Sequence, residues 1–160
     1  MKNNLSLDRF DVKILRELQT DGSLSNQDLA ERVGLTAAPC SRRVKHLQET
    51  GVIRDQVIRL NERALNLNLS AILLISMDKH IPERFETFEK AIKEIPEVME
   101  CYIITGQDAD YQLKVAVPDM DRYQDILLGK ITRIPGVTGV KSSFIMRKVI
   151  DSTAMPLGYI

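Results

Sequence analysis

The chain has 160 residues, 44% of them hydrophobic and 28% charged, which suits one ordinary domain or two small ones and excludes a disordered chain. Twenty-two basic residues balance 22 acidic ones, so nothing is globally polybasic. The longest apolar run, 71–75, is strand-sized and far short of the roughly 18 residues that a membrane span needs. Met1-Lys2-Asn3-Asn4 lacks the apolar stretch of a signal peptide. Cys40 and Cys101 are too few for a disulfide framework or a zinc site. A cytoplasmic protein with no metal and no membrane partner is the expectation.

The balanced charge conceals a local asymmetry. Residues 1–60 carry 10 basic and 8 acidic side chains, whereas 61–160 carry 12 and 14. No acid stands between Glu31 and Glu49, a stretch that holds Arg32, Arg42, Arg43 and Lys45. A basic stripe of this kind suits a polyanion.

The first sixty residues predict three short helices and a hairpin. Ser6 is placed to cap the first, with Asp8 and Asp11 in its opening turn. Leu7, Phe10, Ile14 and Leu18 recur at helical spacing until Asp21-Gly22. Ser25 caps a second helix, with Leu29 and Val33 inward, and Gly34 ends it. Thr36 caps a third whose apolar side is Cys40, Val44 and Leu47, and Thr50-Gly51 ends that one. The tight turn at Gly34 gives the pair helix-turn-helix spacing. The later helix of such a pair enters the major groove, so its leading residues must be small or polar. Thr36, Ala37, Ala38, Pro39 and Ser41 meet that requirement, and Arg42, Arg43, Lys45 and His46 follow on the polar side. The run 52–60 has strand composition and predicts a β-wing, with Arg54 and Arg59 directed at phosphates. A helical bundle used for protein contacts explains the apolar periodicity equally well. It explains neither the acid-free stretch nor the small-residue entry.

Residues 61–68 read as a polar connector. From Leu69 to Met77 apolar residues fill both alternating sets, Ala71, Leu73, Ile75 and Met77 on one face and Ile72 and Leu74 on the other. A helix opens near Pro82, with Phe85, Phe88, Ile92 and Ile95 at helical intervals. Strands over 98–105 and 111–117 follow, joined by the loop Gly106-Gln107-Asp108-Ala109-Asp110. Pro118-Asp119 opens another helix, with Met120, Tyr123, Leu127, Ile131 and Ile134 inward, and 140–150 is a fourth strand. The order βαββαβ is the ferredoxin-like plan, four antiparallel strands with both helices on one face. The uncovered apolar set of the first strand then calls for a partner subunit. There is no glycine-rich phosphate loop, nucleophile–histidine pair or ligand cluster, so no enzyme, catalytic residue or cofactor is expected. The expected chain is α+β: a winged helix-turn-helix domain over 1–60, a linker over 61–68 and a ferredoxin-like domain over 69–160.

Particular residues recur as a set from about Leu7 to Lys148. They include Leu7-Asp8-Arg9-Phe10-Asp11, Ile14-Leu15, Asp21-Gly22, Leu29-Ala30, Gly34-Leu35-Thr36, Pro39-Cys40, Arg43-Val44 and Gly51-Val52-Ile53. The later half adds Gly106, Asp110-Tyr111, Val117-Pro118-Asp119-Met120, Tyr123 and Pro135-Gly136-Val137. This set strongly resembles the Lrp/AsnC (leucine-responsive regulatory protein) family of transcription factors. The resemblance implies homodimers that assemble further, often to octamers, with double-stranded DNA wrapped outside, on the nucleoid. It also implies a C-terminal RAM domain that binds a small amino acid between dimers. By position, the family's effector loop, usually Gly-x-x-Asp-Tyr, corresponds to Gly106, Gln107, Asp108, Asp110 and Tyr111, here one residue longer. Many members carry a hydroxyl residue where this chain has Ala38. An amino acid presents a carboxylate and an ammonium together. Glycine lets backbone amides approach the former, Asp108 or Asp110 can accept from the latter, and the Thr138 hydroxyl can add a bond. A hairpin turn with solvated acids is the bland reading of the same loop, and an architectural DNA-binding regulator without effector response is the corresponding alternative function.

Overall fold

The computed structural model describes residues 6–106 and 108–160. The chain divides into two compact units, one of residues up to Ile58 together with Ile150–Ile160, the other of Arg59–Val149. The last eleven residues, expected with the C-terminal domain, thus pack with the N-terminal one.

Three helices build the first unit: α1 (Arg9–Thr20), α2 (Asn26–Val33) and α3 (Ala37–Glu49). Asp8 caps α1, not Ser6. Its carboxylate accepts from the N–H groups of Phe10 and Asp11, and the Asp11 carboxylate accepts from the Asp8 N–H. A cap at Ser6 would place Arg9, a pure donor, where this reciprocal box needs an acceptor. Ser25 caps α2, and Gly34, at φ 77°, closes it in the left-handed conformation that glycine adopts without strain. Ile14, Leu15, Leu29, Ala30, Val33, Cys40 and Leu47 form the core between the helices. Cys40 is fully buried, and burial pushes its thiol pKa up, so it serves as a small hydrophobe.

The strand expected over 52–60 does not form, and Val57, Ile58 and Leu60 are exposed. Strand composition needs a neighbour to take up the backbone donors and acceptors, and no ladder partner lies beside this run among the described residues.

The second unit has the expected order: β1 (Leu69–Met77), α4 (Pro82–Lys93), β2 (Val98–Ile103), β3 (Tyr111–Val117), α5 (Met120–Gly129) and β4 (Val137–Phe144). The connector before β1 holds a short 3-10 turn, Arg63–Leu65. The sheet is antiparallel throughout, in the order β2-β3-β1-β4. Ala71, Leu73, Ile75 and Met77 of β1 join Tyr111, Leu113, Val115 and Val117 of β3 under Phe88 and Ile92 of α4 and Tyr123 and Ile126 of α5. Both helices therefore cover one face. Ile72 and Leu74 lie on the other, opposite Lys114 and Gln112 of β3 and Ser143 and Lys141 of β4.

Three boundaries differ from expectation. β2 ends at Ile103, whose partner Tyr111 opens β3, and the next N–H, of Ile104, turns to the Asp110 carbonyl. β4 covers 137–144 because its ladder on β1 ends at the pair Ala71 and Phe144. α5 stops at Gly129 and a 3-10 turn, Ile131–Arg133, follows; Met120, in the first turn beyond the buried stripe, is exposed, and Ile126 is buried instead.

Gly136, at φ 98°, enters β4. A Cβ there would meet Met77 Cε at 3.0 Å and both Arg84 Cδ and Asp78 Oδ1 at 3.1 Å. Gly136→Ala is expected to lose about 1–3 kcal/mol. Gly139→Ala, whose nearest contact is an ordinary 3.8 Å, should lose less. Urea denaturation of the two variants checks the difference.

Candidate functional site

The helix-turn-helix carries the first site. Asn26, at the start of α2, donates its amide to the Ala37 carbonyl at 2.9 Å and so ties the starts of the two helices together. Thr36 is the N-cap of α3 but makes no side-chain cap bond, and no acid stands in the first turn. No side chain therefore caps the N–H groups of Ala37 and Ala38, and a helix N-terminus favours an anion. Thr36, Ala37, Ala38, Ser41, Arg42, Lys45 and His46 are exposed, and Pro39 is half-buried. Arg42, His46 and Pro39 line an open hollow of about 370 Å3 with Asp11 and Arg43.

Arg43 is used differently from its neighbours. Its Nη1 lies 2.8 Å from the carboxylates of both Asp8 and Asp11, and its guanidinium stands 5.5 Å from the centre of the Phe10 ring. It is a brace between α3 and the capped start of α1, not the free DNA contact expected of it. The acids that hold it lie some thirty residues earlier, beyond the reach of any local pattern. Arg54 pairs with the adjacent Asp55 at 2.6 Å, and Lys45 stands 3.7 Å from Glu49. Both pairs are exposed, worth at most about 1 kcal/mol, so a phosphate can displace them. Arg42 makes no ion pair among the described residues.

The second site is the β2–β3 loop. Gly106 sits at φ 89°, and Gln107 lies outside the described residues. Asp108 is exposed; its carbonyl accepts from the Ser76 hydroxyl at 2.8 Å, while its carboxylate has no partner among the described residues. Asp110 is spent on structure. One carboxylate oxygen accepts from the Met77 N–H at 2.7 Å, the other lies 2.6 Å from His80 Nε2, and its own N–H donates to the Ile75 carbonyl. Thr138 donates to the Ser76 carbonyl at 3.0 Å, at a bulge where Ser76 faces Gly139 and Met77 faces Val137. Loop and bulge are thus pinned to the same residue, Ser76. Neither Ser76 nor His80 was a sequence candidate; the one signal was a serine beside the last residue of a mostly apolar strand.

Tyr111 does not reach the loop surface. Strand alternation puts it on the helix side with Leu113 and Val115, 1% exposed, its ring centre 4.5 Å from that of Phe88. Its hydroxyl donates to Glu89 at 2.9 Å. Burial, together with that carboxylate, pushes the phenol above its ordinary value, so it stays neutral. It is a core residue.

No group of three or more His, Cys, Asp or Glu among the described residues is arranged to hold a metal ion. No helix among them is long and apolar enough to cross a membrane.

Residues 70–155 match the family model described as the Lrp/AsnC ligand binding domain, and 7–54 match one described as winged helix-turn-helix DNA-binding. The chain belongs to the Lrp/AsnC family of transcriptional regulators. It is 44% identical over 151 residues to the Bkd operon transcriptional regulator of Pseudomonas aeruginosa, covering 94% of this chain and 98% of that one. It is 38% identical over 149 residues to the leucine-responsive regulatory protein of Escherichia coli, covering 93% and 90%. Among solved structures it is similar to a transcriptional regulator of Neisseria meningitidis in complex with L-Met, with a TM-score of 0.92, 34% identity and 96% and 99% coverage. An AsnC family transcriptional regulator of Agrobacterium tumefaciens is similar too, with a TM-score of 0.90, 38% identity and 96% and 99% coverage. This Lrp/AsnC protein is therefore a transcriptional regulator with a DNA-binding and a ligand-binding domain, in a family that is not enzymatic.

The two arginines of α3 should separate cleanly. Arg43→Ala is expected to cost roughly 1.5–3 kcal/mol of stability, because it strips a charged hydrogen bond from the buried Asp11 carboxylate. Arg42→Ala should leave stability within about 0.5 kcal/mol and lower the salt slope of DNA binding by about one. Hydrogen bonds from the N–H groups of Asp11 and Phe10, with Arg43 beside them, hold Asp8 below its ordinary 3.8. A lowered carboxylate stabilises the fold above that value and ceases to as pH falls through its folded pKa. Arg43→Ala should accordingly flatten the loss of stability below about pH 4. Urea titrations followed by circular dichroism across pH, with DNA titrations at several salt concentrations, measure all three effects.

Proposed function

We propose that this regulator reads double-stranded DNA in a sequence-specific manner through the start of α3 and responds to a small amino acid bound between C-terminal domains. The free Asp108 carboxylate, held beside Gly106 on a frame of Ser76, Asp110 and Thr138, is the observation that carries the effector reading. The backbone amide at Gly106 receives the ligand's carboxylate, and Asp108 receives its ammonium. Asp110 and Thr138 act by holding the frame. The likeness to a regulator solved with L-Met supports an amino acid as the ligand class. DNA contacts fall to Thr36, Ala37, Ala38, Pro39, Ser41, Arg42, Lys45, His46 and Arg54, with helix α3 in the major groove. The protein acts in the cytoplasm, on the nucleoid.

Assembly follows from the open face of the sheet. Ile72 and Leu74 are only half-buried at its centre, and a second copy is the simplest cover for them. We assign the homodimer to that face and the octamer to further contacts between dimers.

Isothermal calorimetry against the twenty amino acids tests the ligand. An apolar amino acid is expected to bind and to raise the melting temperature by mass action, and Asp108→Ala should weaken it without changing DNA affinity of the free protein. If none binds at millimolar concentration, the architectural reading replaces this one.

Leu74→Asp is expected to yield monomers by light scattering, because it puts a carboxylate into the apolar dimer contact, where desolvation costs it several kcal/mol even with Lys141 across from it. Leu73→Asp points into the helix-covered core, where Leu73 is fully buried, and should prevent folding instead. A dimeric Leu74→Asp protein would remove the interface from this face.

A further inference from the structure

The segment Ile150–Ile160 belongs to the same compact unit as the helix-turn-helix, although the chain between Arg59 and Val149 forms the other unit. Gln19 of α1 holds this segment at both backbone groups of one residue. Its Nε2 donates to the Met155 carbonyl at 3.1 Å, and its Oε1 accepts from the Met155 N–H. Two residues on, Leu157 packs against the helical core of Ile14, Leu15, Leu29 and their neighbours. Pro156, between the two anchors, has a fixed φ and no N–H to satisfy. Arg16, Gln19 and Thr20 of α1 face Ala154, Met155, Leu157 and Gly158 across a hollow of about 210 Å3.

We propose that this face of α1 is a docking surface whose occupant is the chain's own C-terminal segment, a strap that completes the DNA-binding unit. A primary amide that gives and takes one hydrogen bond with a single residue recognises extended backbone as a neighbouring strand would, whatever side chain that residue carries. The side chain is indeed unused: Met155 is 72% exposed. Position along α1 is set by the backbone clamp and affinity by the apolar anchor at Leu157. A helical unit of some sixty residues has a small core, so one added apolar side chain matters to it.

The strap supports DNA binding without competing with it. None of the residues lining its seat lines the hollow beside α3, which is built from Asp11, Pro39, Arg42, Arg43 and His46. The DNA-binding unit is thereby joined to the ligand-binding unit at two points of the chain, 58–59 and 149–150, where the helix-turn-helix alone would have one.

Hydrogen exchange read by mass spectrometry on the full chain tests the strap. Exchange across 150–160 should be slowed in the parent protein and rise roughly tenfold in Gln19→Leu and in Leu157→Asp. Met155→Ala, which keeps the backbone clamp, should change nothing. A chain ending at Val149 should melt about 5 °C lower in its helical unit, and a synthetic peptide of residues 150–160 should restore part of that loss. The salt slope of DNA binding should be the same for all of them, because no phosphate contact is removed. Free-peptide exchange rates across 150–160 in the parent protein would overturn the proposal. So would Gln19→Leu and Leu157→Asp proteins whose α1 and tail exchange as the parent does. Several-fold tighter DNA binding on removal of the segment would show an autoinhibitory contact and overturn the supporting role.

Discussion

β1 lies between β3 and β4 in the sheet, and it is apolar on both faces, so the C-terminal unit is organised around a strand that cannot be satisfied from one side. Its inward set, Ala71, Leu73, Ile75 and Met77, supplies the floor on which both helices sit, and full burial of each large side chain is worth about 1.5–3 kcal/mol. Its outward pair, Ile72 and Leu74, is flanked by lysines and small polar residues that cannot cover it. Its end is a junction. Ser76 and Met77 hold the β2–β3 loop through Asp108 and Asp110, and Ser76 also receives the Thr138 hydroxyl from the bulge in β4. Core and candidate dimer face are therefore the two alternating sets of one nine-residue strand, and the candidate effector frame is its end.

The DNA-binding unit divides labour among its charges in a comparable way. The basic stripe of α3 looks uniform in sequence, yet Arg43 turns inward to the two acids that cap α1, while Arg42 stays free and Lys45 and Arg54 are only loosely paired. A cation held by two carboxylates and an aromatic ring is a poor phosphate ligand and a good strut. The same acids close the reciprocal cap of α1, so one small network sets both the start of that helix and its packing against α3. The start of α3 has no side-chain cap bond and no acid of its own, an arrangement that suits an external anion.

The belonging of the chain to the Lrp/AsnC family gives these parts their roles, and the physical details say how they are carried out here. In the loop, one acid is spent on holding its position and the other is available. That division could come about only once the loop folded back over the end of β1, because the partners of Asp110 are a backbone N–H and a histidine some thirty residues earlier.

Local order along the chain was legible because it is encoded by near neighbours. Helix spacing placed the three N-terminal helices, Ser25 and Gly34 marked the ends of α2, and alternation gave β1 and β3 their observed limits. The order βαββαβ followed, and with it the single helix-covered face of the sheet. Which apolar set of β1 faces outward was not legible, since alternation is symmetric until helices choose a side. The strand expected over 52–60 is absent for a related reason: its composition states a preference that only a neighbouring strand can realise. The inward turn of Tyr111, the capture of Arg43 by Asp8 and Asp11, and the return of Ile150–Ile160 to α1 all join residues far apart in sequence. Periodicity carries information over a few residues, whereas these contacts are selected by three-dimensional proximity after the elements have packed, and only the tertiary structure decides them.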